Sequence, residues 1–545
     1  METHCIPYTD LPHVSRLFTD YLYDYPRVSE FYPFNPFEEE SFVQAARSIQ
    51  YGAGLRKAVT DILEEQNRRF SAGEAAQENL RRLARPGCYA VVTGQQTGLF
   101  TGPAFAFYKA LTAIHLARTL TERGLEAVPV FWLATEDHDL AEVNHCFVQD
   151  RDGNAQRVEY AGEPPAEDAP VGAVHLSEAI QTTLNALAGF LPDSSARAEV
   201  MDALTDCYRR GESLGTAFGR LLARVFKPFG VIFMDPLDER LHALSSPVFQ
   251  GAVESAVPLG EAIAAQGQRL VERGYHAQVR VTEDSTLLFL YTEGRRQALR
   301  LRDGRFALSE GASFSPENLL ARLAEQPLVL SPNVLLRPVM QDYLLPTIAY
   351  VGGPSELAYF AQAAPVYERI FGRMGRMPVL VPRASFTLLE PAIHRLLQKY
   401  GLTLQDVCSG RQPLREKMAA KFLPPDLVAV FQKAAAGLTE SLDALQASLA
   451  KLDPTLADAA ANSGRKMQYQ LSTLERKAAQ SAQNRTDQVE RDALRLENAL
   501  YPQKALQERV YSGINYLARY GPSLLEEIYS QISPQCSNHQ VALLG

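Results

Sequence analysis

The sequence predicts an α/β protein: a parallel-sheet core broken by two insertions and followed by an α-helical coiled-coil hairpin. Three observations carry that expectation. CYAVVTG (88–94) and VPVFWLA (128–134) are short apolar runs separated by a helical stretch, and continuous rather than alternating hydrophobicity marks strands buried on both faces. The pattern stops near residue 150, returns in GVIFMDP (230–236), and returns again from VLLRPVMQDYLLPTIAYVGGP to MPVLVPRAS (334–385), so distant segments supply one sheet. Beyond about residue 396, Leu438, Leu442, Leu445, Leu449, Leu452 and Leu456 recur at alternating spacings of four and three, which is a heptad seam.

The elements follow in order. Residues 1–85 form an N-terminal helical segment, with helical spacing over 37–85 that stops at Pro86-Gly87. Residues 86–149 are the first part of the core: a strand, a helix from about Pro103 to Glu122, and a second strand, joined by a right-handed crossover. The first insertion, 150–229, opens with the polar RDGNAQRVEYAGEPPAEDAP and becomes helical. Residues 230–240 return a strand to the sheet. The second insertion, 241–330, contains YHAQVRVTEDSTLLFLYTEGRRQALRLRDGRFAL (275–308), where alternation with Glu-Gly and Asp-Gly turns predicts a small antiparallel meander. Residues 331–395 complete the core, 396–512 form the helical coiled-coil domain, and 513–545 are a tail packing on the core. Within the helical domain, Asn462-Ser463-Gly464 reads as the turn between two equal arms, with a break at Asp453-Pro454 inside the first. The seam serves either as an internal strut or as a dimer surface.

At 545 residues the chain exceeds one compact core, and 46% hydrophobic with 21% charged residues places it among folded globular chains. No apolar run reaches the ~18 residues that cross a bilayer, and METHCIPYTDLPHVSRLF lacks the basic and apolar segments of a signal peptide. A cytoplasmic location without a membrane partner is expected. Cys5, Cys88, Cys146, Cys207, Cys408 and Cys536 are scattered without a CxxC pair, so reduced thiols are expected rather than disulfides or a zinc knuckle. The net charge is -9, and residues 421–512 carry 12 Lys+Arg against 11 Asp+Glu, so no basic stripe marks a nucleic-acid partner.

Three stretches carry chemistry. In VVTGQQTGLFTGPAFAFYKALTAI (91–114), Gly94 follows the first strand, Gly98 and Gly102 follow at four-residue intervals, and Pro103 is placed as the first helical residue. Such a turn aims backbone N–H groups and a helix dipole into the cleft at the carboxyl end of a sheet. It spells neither GxGxxG nor GK[ST], and a plain tight turn remains the alternative. Gly94, Gln95, Gln96, Thr101, Gly102 and Pro103 are the binding candidates, with Lys109 two turns into the helix. In ATEDHDLAEVNH (134–145), Glu136, Asp137, His138 and Asp139 cluster at a strand's carboxyl end, which is costly unless they are solvated or used. Histidine titrates near neutrality, so His138 is the candidate general base and Asp137 or Asp139 its orienter. Asp139 with Glu142 also resembles a capping box. His138, Glu142 and His145 share one helical face that suits a divalent cation, but satisfied side chains are commoner there and no metal site is assigned. In YVGGPSELAYF (350–360), Gly352, Gly353 and Pro354 repeat the glycine-proline helix start, with Glu356 in its first turn. Arg383 and Ser385, after MPVLV, are expected to enter the same cleft, where arginine suits a carboxylate or phosphate. Trp132, the single tryptophan, is expected to pack in the sheet, and Cys146 to be a buried thiol.

GQQTGLFTGPAFAFYKA, FWLATEDHDLAEVNH, GGPSELAYFAQ with MPVLVPRAS, and ALYPQKALQERVYSGINYLARYG (499–521), in this order, resemble the bacillithiol biosynthesis cysteine-adding enzyme family over essentially the whole chain. The resemblance implies a Rossmann-like core with two connecting insertions, related in shape to class I aminoacyl-tRNA synthetases although the HIGH and KMSKS motifs are absent here. It also implies homodimerisation through the coiled coil and a ligase that joins the carboxyl group of L-cysteine to the amine of glucosaminyl malate. A free carboxylate does not form an amide at neutral pH, so ATP, as Mg-ATP, is the expected cofactor, with ADP or AMP as product. Under this reading the helix starts at Gly102-Pro103 and Gly353-Pro354, with Lys109 and Arg383, hold anionic groups. Gln95, Gln96 and Asn144 hydrogen-bond sugar hydroxyls, and His138 with Asp137 or Asp139 serves as base and orienter. Two other readings stay open at this point: an adenylate-forming or nucleotidyl-transferring enzyme of the same core acting on another acid, and a non-enzymatic coiled-coil scaffold.

Overall fold

The computed structural model describes residues 1–162, 168–309, 311–372, 376–421, 425–483, 487–533 and 536–545; part of the polar opening of the first insertion, 163–167, lies outside them. Residues 1–388 with 508–542 form one compact unit, and 389–507 with 543–545 form a second.

The first unit is built on five parallel strands: β1 (Tyr89–Gln96), β2 (Ala127–Ala134), β3 (Ile232–Met234), β4 (Thr347–Gly352) and β5 (Val379–Pro382), in spatial order β5-β4-β1-β2-β3. Their continuous apolar runs are explained by cover on the sheet faces. Val91, Ile348, Val351 and Val379 pack on Ala113, Ala117 and Leu120 of helix α1 (Phe105–Glu122) and on Phe42, Ala45 and Ala46 of the helix Glu39–Ser48. Helices Ala53–Arg69 and Glu74–Leu83 pack against β2 and β3. The exposed edge of β3 is closed by side chains: the Asn67 amide donates to the Phe233 carbonyl (2.8 Å) and accepts from its N–H (2.9 Å), as a neighbouring strand would.

The strand order reverses between β1 and β4. From β1 the chain moves outward through α1 to β2 and β3, then returns to the other side of β1 for β4, helix α2 (Pro354–Phe371) and β5. That reversal opens a crevice at the carboxyl ends of β1 and β4, where open α/β sheets bind ligands. The second insertion contributes the expected meander, Ser285–Thr292, Arg295–Arg302 and Arg305–Ala307, in an antiparallel sheet completed by Ser313–Phe314 and Leu330–Pro332.

In the second unit, helices Pro425–Leu452 and Pro454–Gln483 form the hairpin. Its turn is Asp453-Pro454, not Asn462-Ser463-Gly464. The Gln468 amide donates to Thr439 Oγ1 (3.3 Å) and Gly464 lies against Leu442, pairings that centre on Asp453. Asp453 Oδ1 accepts from the Thr455 N–H and hydroxyl (2.8 Å each), capping a helix that Pro454 begins. Gly464 is tolerated inside the second helix because the absent side chain lets Leu442 approach. No helix among the described residues is long and apolar enough to cross a membrane.

Candidate active site

A cavity of about 720 Å³ opens at the carboxyl ends of β1, β2 and β4, where the strand order reverses. β1 ends in it with Gly94, Gln95 and Gln96; β2 contributes Trp132 and Ala134, followed by Glu136, Asp137 and His138. The start of α2 supplies Gly353, Pro354, Ser355 and Glu356, and the antiparallel sheet supplies Phe289 and Arg296. Glycine is required at position 94, because a Cβ there would stand 2.9 Å from the Trp132 carbonyl oxygen on β2.

Lys109 and Glu356 tie α1 to α2 at the cavity wall. Lys109, 3% exposed, donates to the Gly94 carbonyl (2.9 Å) and Gln95 Oε1 (3.0 Å) and pairs with Glu356 Oε2 at 2.6 Å. Glu356 also accepts from the Tyr350 hydroxyl (2.5 Å) and the Gly353 N–H (2.8 Å). Burial opposes both charges and holds Lys109 below the usual lysine range. For Glu356, burial is outweighed by Lys109 and the Gly353 N–H, which hold the carboxyl below its usual range. The three lysine donors are all engaged by the protein, so Lys109 has none left for direct contact with an anion.

The acidic edge is ordered by Gln96, whose amide donates to Asp137 Oδ2 (2.7 Å) and Glu142 Oε2 (2.9 Å); Asp137 Oδ1 accepts from the His138 N–H (2.8 Å). His138 differs from expectation. Arg296 Nη1 donates to its Nδ1 at 2.9 Å, and since a guanidinium only donates, Nδ1 accepts and the neutral ring carries its proton on Nε2. His138 therefore offers a donor, and Asp137 is the acceptor of the pair. Arg296 is itself fixed by Ser331 Oγ (2.7 Å), the Pro332 carbonyl (2.7 Å) and the Phe289 ring, 3.8 Å from the guanidinium carbon. Asp139 lies outside the cavity lining as the cap of the short helix Leu140–Val143, accepting from the Glu142 N–H (3.1 Å). His145 begins a strand, so the helical face shared with His138 and Glu142 does not form. Glu136, 5% exposed, accepts from His242 Nε2 at 3.0 Å.

Several expected binding residues stand elsewhere. Thr101, Gly102 and Pro103 do not line the cavity. α1 starts at Phe105 rather than Pro103, the Ala104 N–H donates to the Tyr511 carbonyl (2.8 Å), Pro103 bridges to Ser512, and Thr101 Oγ1 meets Ser512 Oγ at 3.4 Å. The segment at 511–513 thus seals this helix start, and it packs so tightly that a Cβ on Gly513 would fall 2.2 Å from the Phe107 ring. Asn144 is engaged with Glu159 (3.3 Å) and His145 (3.2 Å) outside the lining. Gly352 is also outside it, accepting from the Arg383 N–H (2.9 Å). Ser385 is buried in a polar cluster with Glu508 and His539. Arg383 does reach the cavity, but its guanidinium is held by Glu508 in a bidentate pair (2.7 and 3.1 Å) over the Phe105 ring. Cys146 is buried, which pushes its thiol up to about 12.

Sequence reasoning missed His242, Arg280, Arg296, Arg337, Glu508 and Arg509. Arg296 and Arg280 sit in and before the meander, whose alternation signalled a surface sheet; Glu508 and Arg509 lie in the QERVYSG stretch, far in sequence from every strand of the core. Nothing local marks them.

Residues 1–384 match the family model described as "Bacillithiol biosynthesis BshC, N-terminal Rossmann-like domain", and residues 386–544 match "Bacillithiol biosynthesis BshC, C-terminal coiled-coil domain". A Koribacter versatilis protein named "Putative cysteine ligase BshC" is 42% identical over 98% of this chain and 99% of its own. Proteins of the same name from Solibacter usitatus and Salinibacter ruber are 38% identical over 100% of both chains and 35% identical over 99% of this chain and 98% of that one.

Proposed function

The chain belongs to the BshC family of bacillithiol biosynthesis, and from that premise we propose that it is a cytoplasmic ligase joining the carboxyl group of L-cysteine to the amine of glucosaminyl malate, with ATP activating the carboxylate. The observation that supports this most is the composition of one cavity. It holds the cations Arg280, Arg337, Arg383 and Arg509, with Arg383 at the start of α2, and an acceptor side of Gln96, Asp137, His138 and Glu142.

The residues fit a nucleotide's anionic groups. Arg280 and Arg509 line the cavity and carry no ion pair among the described residues, and the 18-residue helix α2 begins there at Gly353-Pro354. These groups would hold the phosphates of Mg-ATP, which supplies phosphoryl or adenylyl transfer when bound. On the acceptor side, Asp137 takes the proton that the sugar ammonium must lose before attack, with Gln96 and the His138 N–H fixing its orientation. The Nε2–H of His138 donates to the oxygen on which negative charge develops. Gln95 and Gln96 line the same cavity, where their remaining amide groups would hydrogen-bond sugar hydroxyls.

The exposed remainder of the heptad seam, Leu445, Leu452, Leu456, Met467 and Leu474, supports homodimerisation through the hairpin, which light scattering on the intact chain checks. The catalytic reading is tested by mass spectrometry on protein mixed with L-cysteine, glucosaminyl malate and Mg-ATP. Amide product with ADP identifies an acyl-phosphate route, and product with AMP an adenylate. Asp137→Asn is expected to lower kcat by about 100-fold or more while His138→Gln, which keeps a donor, loses less. The reverse ranking removes Asp137 as the base, and absence of product in folded wild type removes the substrate assignment.

A further inference from the structure

Glu136 is a buried carboxylate that the ligase reading above leaves without a task. It lines the cavity at 5% exposure, and among the described residues its one hydrogen-bonding partner is His242, through Nε2 at 3.0 Å. His242 is fully buried and stacks on Phe249, with ring centroids 5.5 Å apart, and its Nδ1 has no partner. Since a carboxylate only accepts, His242 Nε2 carries the proton that it donates to Glu136. Glu136 is therefore oriented by one imidazole N–H and forms no ion pair with a lysine or arginine among the described residues. Arg296, the cation on the adjoining wall, directs donors to Ser331, Pro332 and His138 and forms no ion pair with Glu136. A carboxylate removed from water and left unbalanced is costly unless a ligand brings the compensating charge.

A second unsatisfied atom lies on the same strand end. Trp132, fully buried and also lining the cavity, has an indole N–H without a partner. The Trp132 nitrogen has no exposed surface of its own, so the group presented to a ligand at this strand end is the carboxylate of Glu136, which matches an ammonium. Depth separates this place from the sugar's. The Asp137 and His138 side chains are each 31% exposed and Glu142 is exposed, so the acceptor edge is the cavity's mouth and Glu136 its floor. We propose that Glu136, positioned by His242, is the ammonium-recognising subsite for an α-amino acid at the cavity floor. That the ammonium belongs to cysteine rests on the ligase reading; that this floor takes an ammonium does not.

Equilibrium binding, with and without a non-hydrolysable ATP analogue, distinguishes the two. Wild type should bind L-cysteine at least tenfold more tightly than 3-mercaptopropionate, which keeps the thiol and carboxylate and lacks the ammonium. Glu136→Gln, with an unchanged thermal midpoint, should lose that preference and leave glucosaminyl malate binding unaltered. Preference retained in folded Glu136→Gln overturns the subsite; should that variant not fold, absence of the preference in wild type overturns it equally. A wild type that prefers a different α-amino acid, with the same loss in Glu136→Gln, keeps the subsite and removes cysteine. A wild type that binds glucosaminyl malate but no α-amino acid overturns the subsite and leaves the acceptor side standing. His242 acts through Glu136, so His242→Leu should raise KM for the amino acid tenfold or more with KM for glucosaminyl malate unchanged. His242→Gln, which restores a donor, should recover most of the loss, and equal effects of the two variants would reduce His242 to a packing residue.

Discussion

Two helix starts in this chain are spelled alike, Gly102-Pro103 before α1 and Gly353-Pro354 before α2, and the fold uses them differently. The second opens on the cavity, with its first-turn Glu356 locked to Lys109 across the strand reversal. The first is covered by residues 511–513, with its Ala104 N–H given to the Tyr511 carbonyl. A glycine-proline turn creates donors that need partners, and what fills that need is decided by which distant segment arrives. Only where none does is a ligand called for.

The sharpest way to break this contrast is to remove the lock on the open start. Lys109→Met leaves Glu356 buried without its direct ion-pair partner, and losing one partner of a buried pair costs about 3–5 kcal/mol. Chemical denaturation followed by the emission of Trp132, the only tryptophan, should report that loss, and Lys109→Met/Glu356→Leu should recover much of it. A loss below about 1 kcal/mol in the single variant would mean that the pair behaves as a solvent-exposed one and does not set the wall of the cavity.

Next in size is a pH effect on the wall beside the open start. Arg383, whose Nε stands 3.5 Å from where a Gly353 Cβ would be, is anchored by Glu508, which accepts from Ser385 (2.8 Å). His539 completes the cluster through Ser385 (2.7 Å) and Thr387 (2.8 Å). A carboxylate only accepts, so Ser385 donates to Glu508 and accepts from His539 Nδ1–H, while Thr387 donates to Nε2. Burial pushes the His539 imidazole down to about 4. The unfolded chain therefore binds this proton first. The stability contributed by keeping the ring neutral is fully present above about 6.5 and is lost as pH falls from there through 4, a change of roughly 3 kcal/mol. Denaturation midpoints for wild type and His539→Gln between pH 7 and pH 4 should converge on the acid side; parallel curves would show that His539 is protonated without penalty.

What the sequence revealed and what it concealed divide along this same contrast. β1 and β2 were legible because a strand covered on both faces must be apolar at every position, and Val91, Val92, Phe131 and Leu133 are all buried. The heptad leucines were legible from their three- and four-residue spacing alone, yet the hairpin turn was not. Asn462, Ser463 and Gly464 carry turn propensity, and packing against Leu442 overrode it in favour of Asp453-Pro454. Glu136, Asp137 and His138 were found because charge at a strand's carboxyl end needs a reason. The direction of the His138 proton was not, since Arg296 lies 158 positions away. The sealing of Thr101 by Ser512 spans 411 positions. Local spelling identifies groups that need partners; only the tertiary fold says whether the partner is protein.

The smallest expected effect sharpens the closed side. Thr101 sits at φ 76, a left-handed conformation that costs a β-branched residue about 1–2 kcal/mol. Thr101→Gly relieves that strain. It also gives up the weak contact with Ser512 Oγ and loosens the unfolded chain by about 0.5–1 kcal/mol. The terms oppose one another, so stability should move by less than about 1 kcal/mol. The kinetic readout is the decisive one: with 511–513 filling the donors of this helix start, KM for nucleotide, amino acid and sugar should all stay at wild-type values. A rise in KM for the nucleotide would mean that the seal opens during turnover and that both glycine-proline starts serve the anion, making the difference between them a property of the resting protein alone.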